Sequence, residues 1–246
     1  MVTRVAIVGA TGRMGALVRG IVEREDDLAL HAALGSADDI DGITGADAVV
    51  DVTVPAVSPT IVEAALDRGI PVLVGTSGWS ADRIATLRTR VGEGSAPGVI
   101  IVPNFSLGSA LATAFAVLAA PWFDSIEIVE SHHAGKVDSP SGTAIRTAEL
   151  IGAARAEVGP VAAPHADQRA RGQQVASVPI HSLRHDGLSA RQEVVLGGTG
   201  ETLRLLHDTH SDASYEAGIL LGVRALPGAR GVLVGLDSIL DLGLPG

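Results

Sequence analysis

Over residues 1–104, short apolar runs alternate with stretches of helical period. Residues 2–8 form a β-branched run without polar alternation, the pattern of a strand buried on both faces. Residues 16–24 then carry Leu17, Ile21 and Val22 at spacings that share one helix face. Residues 28–34 predict a second strand, and residues 46–54 a third, closed by Pro55. Ser58 is placed to cap a helix over 60–68 that Gly69 ends. A fourth strand is expected over 71–74. Ser80 caps a helix running to about Val91, and 99–102 makes a fifth strand. Strands alternating with helices predict a parallel, doubly wound sheet.

The pattern changes after residue 104. Residues 107–119 are almost wholly apolar at helical length, and Pro121 stops them. Residues 125–131 (Ser-Ile-Glu-Ile-Val-Glu-Ser) alternate like a half-buried strand. Ser141 caps a helix to about Ala156, and residues 157–174 form a long loop. Strands are expected over 176–184 and 190–196, joined as a hairpin through Asp186-Gly187, with another strand over 201–208. Residues 215–226 are helical again, and 232–234 form a strand that returns to the first sheet. The expected organisation is an α/β fold. A Rossmann-type domain spans 1–104, with 213–246 returning to it. An α+β domain with a mostly antiparallel sheet spans 105–212.

Composition narrows the chemistry. The chain has no cysteine, which removes disulfides, thiolate metal sites and cysteine nucleophiles. A net charge of −10 and 2% aromatic residues argue against a nucleic-acid partner. No apolar run reaches membrane-spanning length, and the N-terminus runs straight into a strand pattern, so a cytoplasmic protein with no membrane partner is expected.

Two stretches carry the candidate chemistry. Between the first strand and helix lies Gly9-Ala10-Thr11-Gly12-Arg13-Met14-Gly15, spaced G-x-x-G-x-x-G. Glycines there let the backbone approach a pyrophosphate at a helix N-terminus; the plainer alternative is a tight turn. Gly75, Thr76 and Ser77 follow the fourth strand, at the end of the sheet where ligands sit in such folds. The second strand ends in Gly35 and Ser36, where an acidic residue normally bonds the adenosine ribose, with Asp38 and Asp39 further on. Weak discrimination between NADH and NADPH follows, unless Asp38 or Asp39 folds back.

The second stretch is Glu-Ser-His-His-Ala-Gly-Lys-Val-Asp-Ser-Pro-Ser-Gly-Thr, residues 130–143. Lys136 is the only lysine of the chain. A lysine kept where arginine has replaced all others suits a task that needs a compact ammonium, although chance survival on a solvated loop accounts for it equally well. Adjacent side chains on a strand point to opposite faces. His132 and His133 are therefore expected to have different roles, and no metal is expected. Ser141, Gly142 and Thr143 open a helix whose free amides suit an anion. Histidine, lysine and helix N-terminus together predict a pocket for a carboxylate-bearing substrate.

These residues resemble the 4-hydroxy-tetrahydrodipicolinate (dihydrodipicolinate) reductase family of bacterial lysine and diaminopimelate biosynthesis. The resemblance runs the whole length: Gly-Ala-Thr-Gly-Arg-Met-Gly from Gly9, Val-Gly-Thr-Ser-Gly-Trp from Val74, Pro-Asn-Phe from Pro103, the stretch from Glu130, and Gly-Glu-Thr-Leu from Gly200. It implies hydride transfer from NADH or NADPH to a dipicolinate-type dicarboxylate, with loss of the 4-hydroxyl as water, in a homotetramer. It also implies roles: His132 as acid/base group, Lys136 as proton donor, and His133, Gly142 and Thr143 as carboxylate binders. Gly9, Ala10, Thr11, Gly12, Arg13 and Met14 would line the cofactor. So would Gly75, Thr76, Ser77, Val102, Pro103, Asn104 and Phe105. Two other classes fit the residues less well. A thioester-forming semialdehyde dehydrogenase needs a cysteine. A nucleotide sensor without catalysis has no use for the His132 and Lys136 pair.

Overall fold

The structure, a computed structural model, describes residues 2–240. In chain order the first half runs β1 (Thr3–Val8), α1 (Arg13–Arg24), β2 (Leu28–Leu34), β3 (Ala48–Asp51), α2 (Ser58–Asp67), β4 (Val72–Val74), α3 (Ala81–Val91) and β5 (Val99–Ile101). There follow α4 (Leu107–Ala119), β6 (Ser125–His132), α5 (Gly142–Ala154), β7 (Gln173–Val175), β8 (Val178–Arg184), β9 (Ala190–Gly198) and β10 (Glu201–Thr209). The described chain closes with α6 (Glu216–Ala225) and β11 (Val232–Val234). Residues 2–105 with 215–240 form one compact unit, and residues 106–214 form the other. The last six residues of the expected return segment, 241–246, lie outside the described residues.

The first unit is an all-parallel sheet in the order β11-β5-β4-β3-β1-β2. Its strands are short and apolar because both faces are covered. Val5, Ala6, Ile7, Val49, Val50 and Leu73 are fully buried. The order reverses at β1 and β3, so the loops after these two strands part and leave a crevice. Gly9 sits there with φ +91°, and a Cβ on it would lie 2.6 Å from the Val52 carbonyl oxygen. A Cβ on Gly15 would lie 2.2 Å from the Gly9 carbonyl oxygen. Both glycines are therefore required where α1 springs from the turn. Two expectations are corrected in this unit. Helix α1 begins at Arg13 instead of residue 16, and Ser58 lies inside α2, its hydroxyl turned to Asp51 instead of capping the helix.

The second unit is a mixed sheet in the order β10-β9-β6-β8-β7, with only the β6–β8 pair parallel. Ile126 and Ile128 of β6, Ile180 of β8, and Val194 and Leu196 of β9 pack against Ala144, Ala148 and Ile151 of α5 and Ala116 of α4. The other sheet face carries Leu183 and Leu206, about half exposed at 45% and 49%.

The hairpin expected at Asp186-Gly187 does not pair its flanking strands, because β6 lies between β8 and β9. Thr199-Gly200 makes the tight β9–β10 hairpin instead. The strand expected over 176–184 begins only at Val178, and the expected loop ends in β7, because a second tight hairpin lies at Ala176-Ser177, whose φ values are +48° and +69°. Neither residue favours that conformation. The turn is held by its surroundings: Ser177 Oγ accepts from the Val161 amide at 3.0 Å, and Gly152 of α5 leaves room for Ala176, whose Cβ would lie 2.6 Å from any Cβ placed on Gly152.

Candidate functional site

In the first unit, the crevice at the β1/β3 reversal is a cavity of about 430 Å³. Gly9, Thr11 and Gly12 line it from the glycine turn, and Gly35, Ser36 and Asp38 from the end of β2. Val54 and Val57, both exposed, form its apolar wall. Helix α1 starts at this cavity, just after Gly12, with no side-chain cap on its first turn and no acidic residue there. Its first amides carry partial positive charge without a competing carboxylate, the arrangement that receives a phosphate. A dinucleotide fits this donor set. Gly9 and Gly15 leave the approach open, α1 offers amides to a pyrophosphate, and the cavity beside them is the size of a nucleoside site.

Asp38 does fold back. The Gly35 amide donates to its Oδ2 at 2.7 Å. Asp39 is occupied elsewhere: it caps the 3₁₀ turn at Ile40–Ile43 by accepting from the Asp41 amide at 2.9 Å. Ala10, Arg13 and Met14 do not line the cavity, nor do Gly75, Thr76, Ser77, Val102, Pro103, Asn104 and Phe105. Two of these have buried side chains committed to the fold. The Phe105 ring fills the space a Cβ on Gly75 would need, at 2.4 Å, and Thr76 donates its hydroxyl to Asp51 at 3.1 Å.

The residue beneath these loops was missed by sequence reasoning. Asp51 ends β3 fully buried. It accepts from the Thr53 amide at 3.0 Å, the Thr53 hydroxyl at 2.6 Å, and the Thr76 and Ser58 hydroxyls. Trp79 Nε1 in turn donates to Ser58 Oγ at 2.9 Å. One carboxylate thus ties together the loops that follow β3 and β4.

In the second unit, residues 130–143 run from the end of β6 to the start of α5. Glu130 shares the core-facing side of β6 with Ile126 and Ile128 and is fully buried. In the sequence it is one polar position of an alternating strand and carries no signal of a task. Its Oε2 lies 2.6 Å from His132 Nδ1, and Arg184 donates to both its oxygens at 2.9 and 2.8 Å. The Ser141 amide donates to Oε1 at 3.2 Å. Burial pushes the Glu130 carboxyl up, but hydrogen bonds from His132, Arg184 and Ser182 outweigh it and hold it at about 2. Arg184 ends β8 as the register partner of His132, and also donates to the Asp138 carbonyl at 2.7 Å. A lone arginine on an alternating strand carries no signal of this; only the β6–β8 pairing reveals it.

Lys136 donates to Asp138 Oδ1 at 2.6 Å, a bond that holds the Asp138 carboxyl below its ordinary range. The Lys136 amide closes the loop onto the His133 carbonyl at 3.1 Å. His133 is exposed, unlike His132. Ser141 caps α5 by accepting from the Ala144 amide at 3.2 Å, and the first turn of α5 holds no acidic residue. A Cβ on Gly142 would meet nothing within 4 Å, so this turn is open to a ligand. The structure thus joins His132, Lys136 and the α5 N-terminus through Glu130, Arg184 and Asp138.

Comparison with known proteins covers both units. Residues 3–105 match the family model described as dihydrodipicolinate reductase, N-terminus, and residues 106–240 match its C-terminus. A 4-hydroxy-tetrahydrodipicolinate reductase of Clavibacter sepedonicus is 59% identical over 242 residues, covering 98% of this chain and 87% of that one. One from Streptomyces griseus is 48% identical over 245 residues, covering 97% and 98%. Among solved structures, the dipicolinate-bound dihydrodipicolinate reductase of Paenisporosarcina sp. TG-14 superposes with a TM-score of 0.81 at 26% identity, covering 98% and 100%. A myo-inositol 2-dehydrogenase of Lactobacillus plantarum shares the fold, with a TM-score of 0.62 at 15% identity over 97% of this chain and 93% of that one.

Proposed function

Since the chain belongs to the dihydrodipicolinate reductase family, we infer from its own residues how the family's reaction is divided among them. The protein is a nicotinamide-dependent oxidoreductase that reduces 4-hydroxy-tetrahydrodipicolinate to tetrahydrodipicolinate in lysine and diaminopimelate biosynthesis. Reduction adds a hydride and a proton to the ring, and the 4-hydroxyl leaves as water. NADH or NADPH, when bound, supplies the hydride. The protein's share is to hold the substrate's carboxylates, exclude water and supply the proton.

The open first turn of α5, through Gly142 and Thr143, binds one carboxylate, and exposed His133 assists. A hydride arriving at a ring conjugated to an imine builds negative charge, which a positioned cation relieves. Lys136 gives the proton and His132 acts as the acid/base group beside it. The observation that carries this assignment is the Glu130 cluster, which gathers His132 and the start of α5 on one ionised carboxylate. In the first unit, the turn from Gly9 to Met14 takes the pyrophosphate and the cavity takes the adenosine end. Gly75, Thr76 and Ser77, with Val102 to Phe105, offer the nicotinamide end mainly their main chain. Both cofactors are accepted, with a modest preference for NADH through Asp38. The test is NAD(P)H oxidation followed at 340 nm with freshly generated dihydrodipicolinate. His132→Gln lowers turnover by about 10²–10⁴-fold; an unimpaired variant removes His132 from the reaction.

The sheet face bearing Leu183 and Leu206 is the surface through which the chain forms a homotetramer. A half-polar sheet face in a small unit gains by pairing with copies of itself. Light scattering on the wild type reads a tetramer, and Leu206→Glu shifts it to smaller species; a monomeric wild type at micromolar concentration overturns the assembly. The metabolic setting points to the cytoplasm. Among the described residues no helix is long and apolar enough to cross a membrane.

A further inference from the structure

We propose that Glu130 and Arg184 are positioning residues. Glu130 fixes the His132 tautomer so that only Nε2 exchanges protons, and Arg184 couples the His132 strand to the Lys136 loop. This rests on the roles given above to His132 and Lys136.

Position 130 lies on the apolar face of β6, between strands and beneath α5. A carboxylate there is tolerated only if its oxygens are fully bonded. They are: Oε2 takes His132 and Arg184, and Oε1 takes Arg184 and the Ser141 amide. An ionised carboxylate accepts and cannot donate. The 2.6 Å contact with His132 Nδ1 therefore requires the proton on Nδ1. His132 then presents Nε2 alone to the reaction, as acceptor when neutral and donor when charged.

The second half concerns the loop. The same guanidinium nitrogen of Arg184 that bonds Glu130 Oε1 also donates to the Asp138 carbonyl at 2.7 Å. The Asp138 side chain holds Lys136 Nζ at 2.6 Å. The Nε of Arg184 is buried without a partner, so its terminal nitrogens alone hold the side chain in place. One planar cation thus sets both the imidazole strand and the ammonium loop. A lysine at 184 is one atom shorter and carries a single nitrogen, so it cannot hold both Glu130 oxygens as a fork while also reaching the Asp138 carbonyl.

A cluster that served only as glue for β6, β8 and α5 would leave the tautomer indifferent. The experiment is 15N NMR of histidine-labelled full-length protein, together with steady-state kinetics. In the wild type the His132 resonances report Nδ1 protonated. In Glu130→Gln, whose amide can donate to Nδ1 or accept from it, the Nε2-protonated tautomer becomes populated. Turnover of that variant falls about tenfold to a hundredfold, with KM changed by less than about threefold. Arg184→Lys keeps the Nδ1 tautomer but loses turnover as the Lys136 loop is released. Glu130→Asp, which keeps an accept-only carboxylate, keeps the Nδ1 tautomer and recovers part of the Glu130→Gln loss of turnover; should the glutamine variant fail to fold, Glu130→Ser, whose hydroxyl can donate or accept, is read for the tautomer change. An unchanged tautomer in the folded neutral variant overturns the proposal, as does a turnover loss that matches only the lost folded fraction. Wild-type turnover in His132→Gln would instead defeat the role of His132, while the NMR result for Glu130 would still stand.

Discussion

Among the described residues each unit buries one carboxylate at or near the C-terminal end of a strand, and only one of the two has charged partners. Asp51 accepts from neutral donors: one amide and three hydroxyls. Glu130 accepts from an amide and the Ser182 hydroxyl as well, but its strongest partners are a guanidinium and an imidazole. Both are fully buried, so burial does not tell them apart. The donors do. Hydroxyls and amides fix the paths of loops and hold no exchangeable charge. An imidazole and an arginine that also grips a lysine-bearing loop pass position and charge on to groups that react. We therefore assign Asp51 to the fold of the first unit, and Glu130 to the proposed chemistry of the other.

The largest expected effect lies at the end of the Glu130 network. Lys136→Met, with the fold intact by circular dichroism, lowers turnover by about 10²–10⁴-fold, the usual worth of a positioned acid. Wild-type turnover in that variant would break the contrast, because the network would then lead to nothing that reacts. At Asp51 the expected loss is one of stability. Asp51→Ala strands the Ser58, Thr53 and Thr76 hydroxyls and costs about 3–5 kcal/mol in denaturant unfolding. Asp51→Asn keeps one acceptor oxygen, and Ser58 can turn to accept from the new amide, so its cost is about 1–2 kcal/mol with turnover retained. A selective loss of turnover in Asp51→Asn would place Asp51 with Glu130 instead.

The two sheets are unequally legible in the sequence, and neither buried carboxylate is. The parallel strands of the first unit were found because unbroken β-branched runs are their signature, and β2 fell at residues 28–34 as expected. Neither Asp51 nor Glu130 stood out. Asp51 ends an apolar run as any strand-ending turn residue does, and Glu130 sits in an alternation that hides which face is buried. His132, Lys136 and the glycine turn were visible because their residue types are rare or fixed by backbone geometry. Arg184 was not, since its part depends on β8 lying parallel beside β6. The same non-local pairing defeated the hairpin reading of Asp186-Gly187. At Ala176-Ser177 tertiary contacts impose a turn that the residues themselves disfavour.

The comparison predicts a smaller, pH-dependent effect. The Glu130 carboxyl is held at about 2 in the folded protein, against an ordinary value of 4.5. The unfolded chain therefore binds the proton first as pH falls. The stabilisation is complete above about 4.5 and is lost as pH falls through the folded value of about 2. A depression of this size contributes on the order of 3 kcal/mol at neutral pH. Denaturant unfolding of the wild type and of Glu130→Gln should differ most at pH 7 and converge by about 2 kcal/mol on going to pH 3. A gap that does not narrow would show that His132 and Arg184 do not hold the carboxyl down.

The smallest effect belongs to a third carboxylate, Asp38, which sharpens the comparison because it is exposed. It neither knots loops nor tunes a catalytic group; its free oxygen faces a ligand's needs. The place where an acid usually ends the second strand holds Gly35, and Asp38 returns its carboxylate to that glycine's amide at 2.7 Å. Among the residues lining the cavity, Asp38 is the single charged one. The ribose hydroxyls of NADH can donate to it, whereas the 2′-phosphate of NADPH meets like charge. A charge-assisted hydrogen bond contributes about 1.5–3 kcal/mol when well shielded and less in solvent and salt. NADH should therefore be favoured by about tenfold, and by less than about a hundredfold, in kcat/KM. Titration of nicotinamide fluorescence should show the same ratio in the dissociation constants. Asp38→Ala should bring that ratio close to one, mainly by weakening NADH and admitting NADPH. Asp39→Ala should leave it unchanged, because Asp39 spends its carboxylate capping the turn that follows. If instead Asp39→Ala erased the preference and Asp38→Ala did not, the loop after β2 would present a different carboxylate to the ribose.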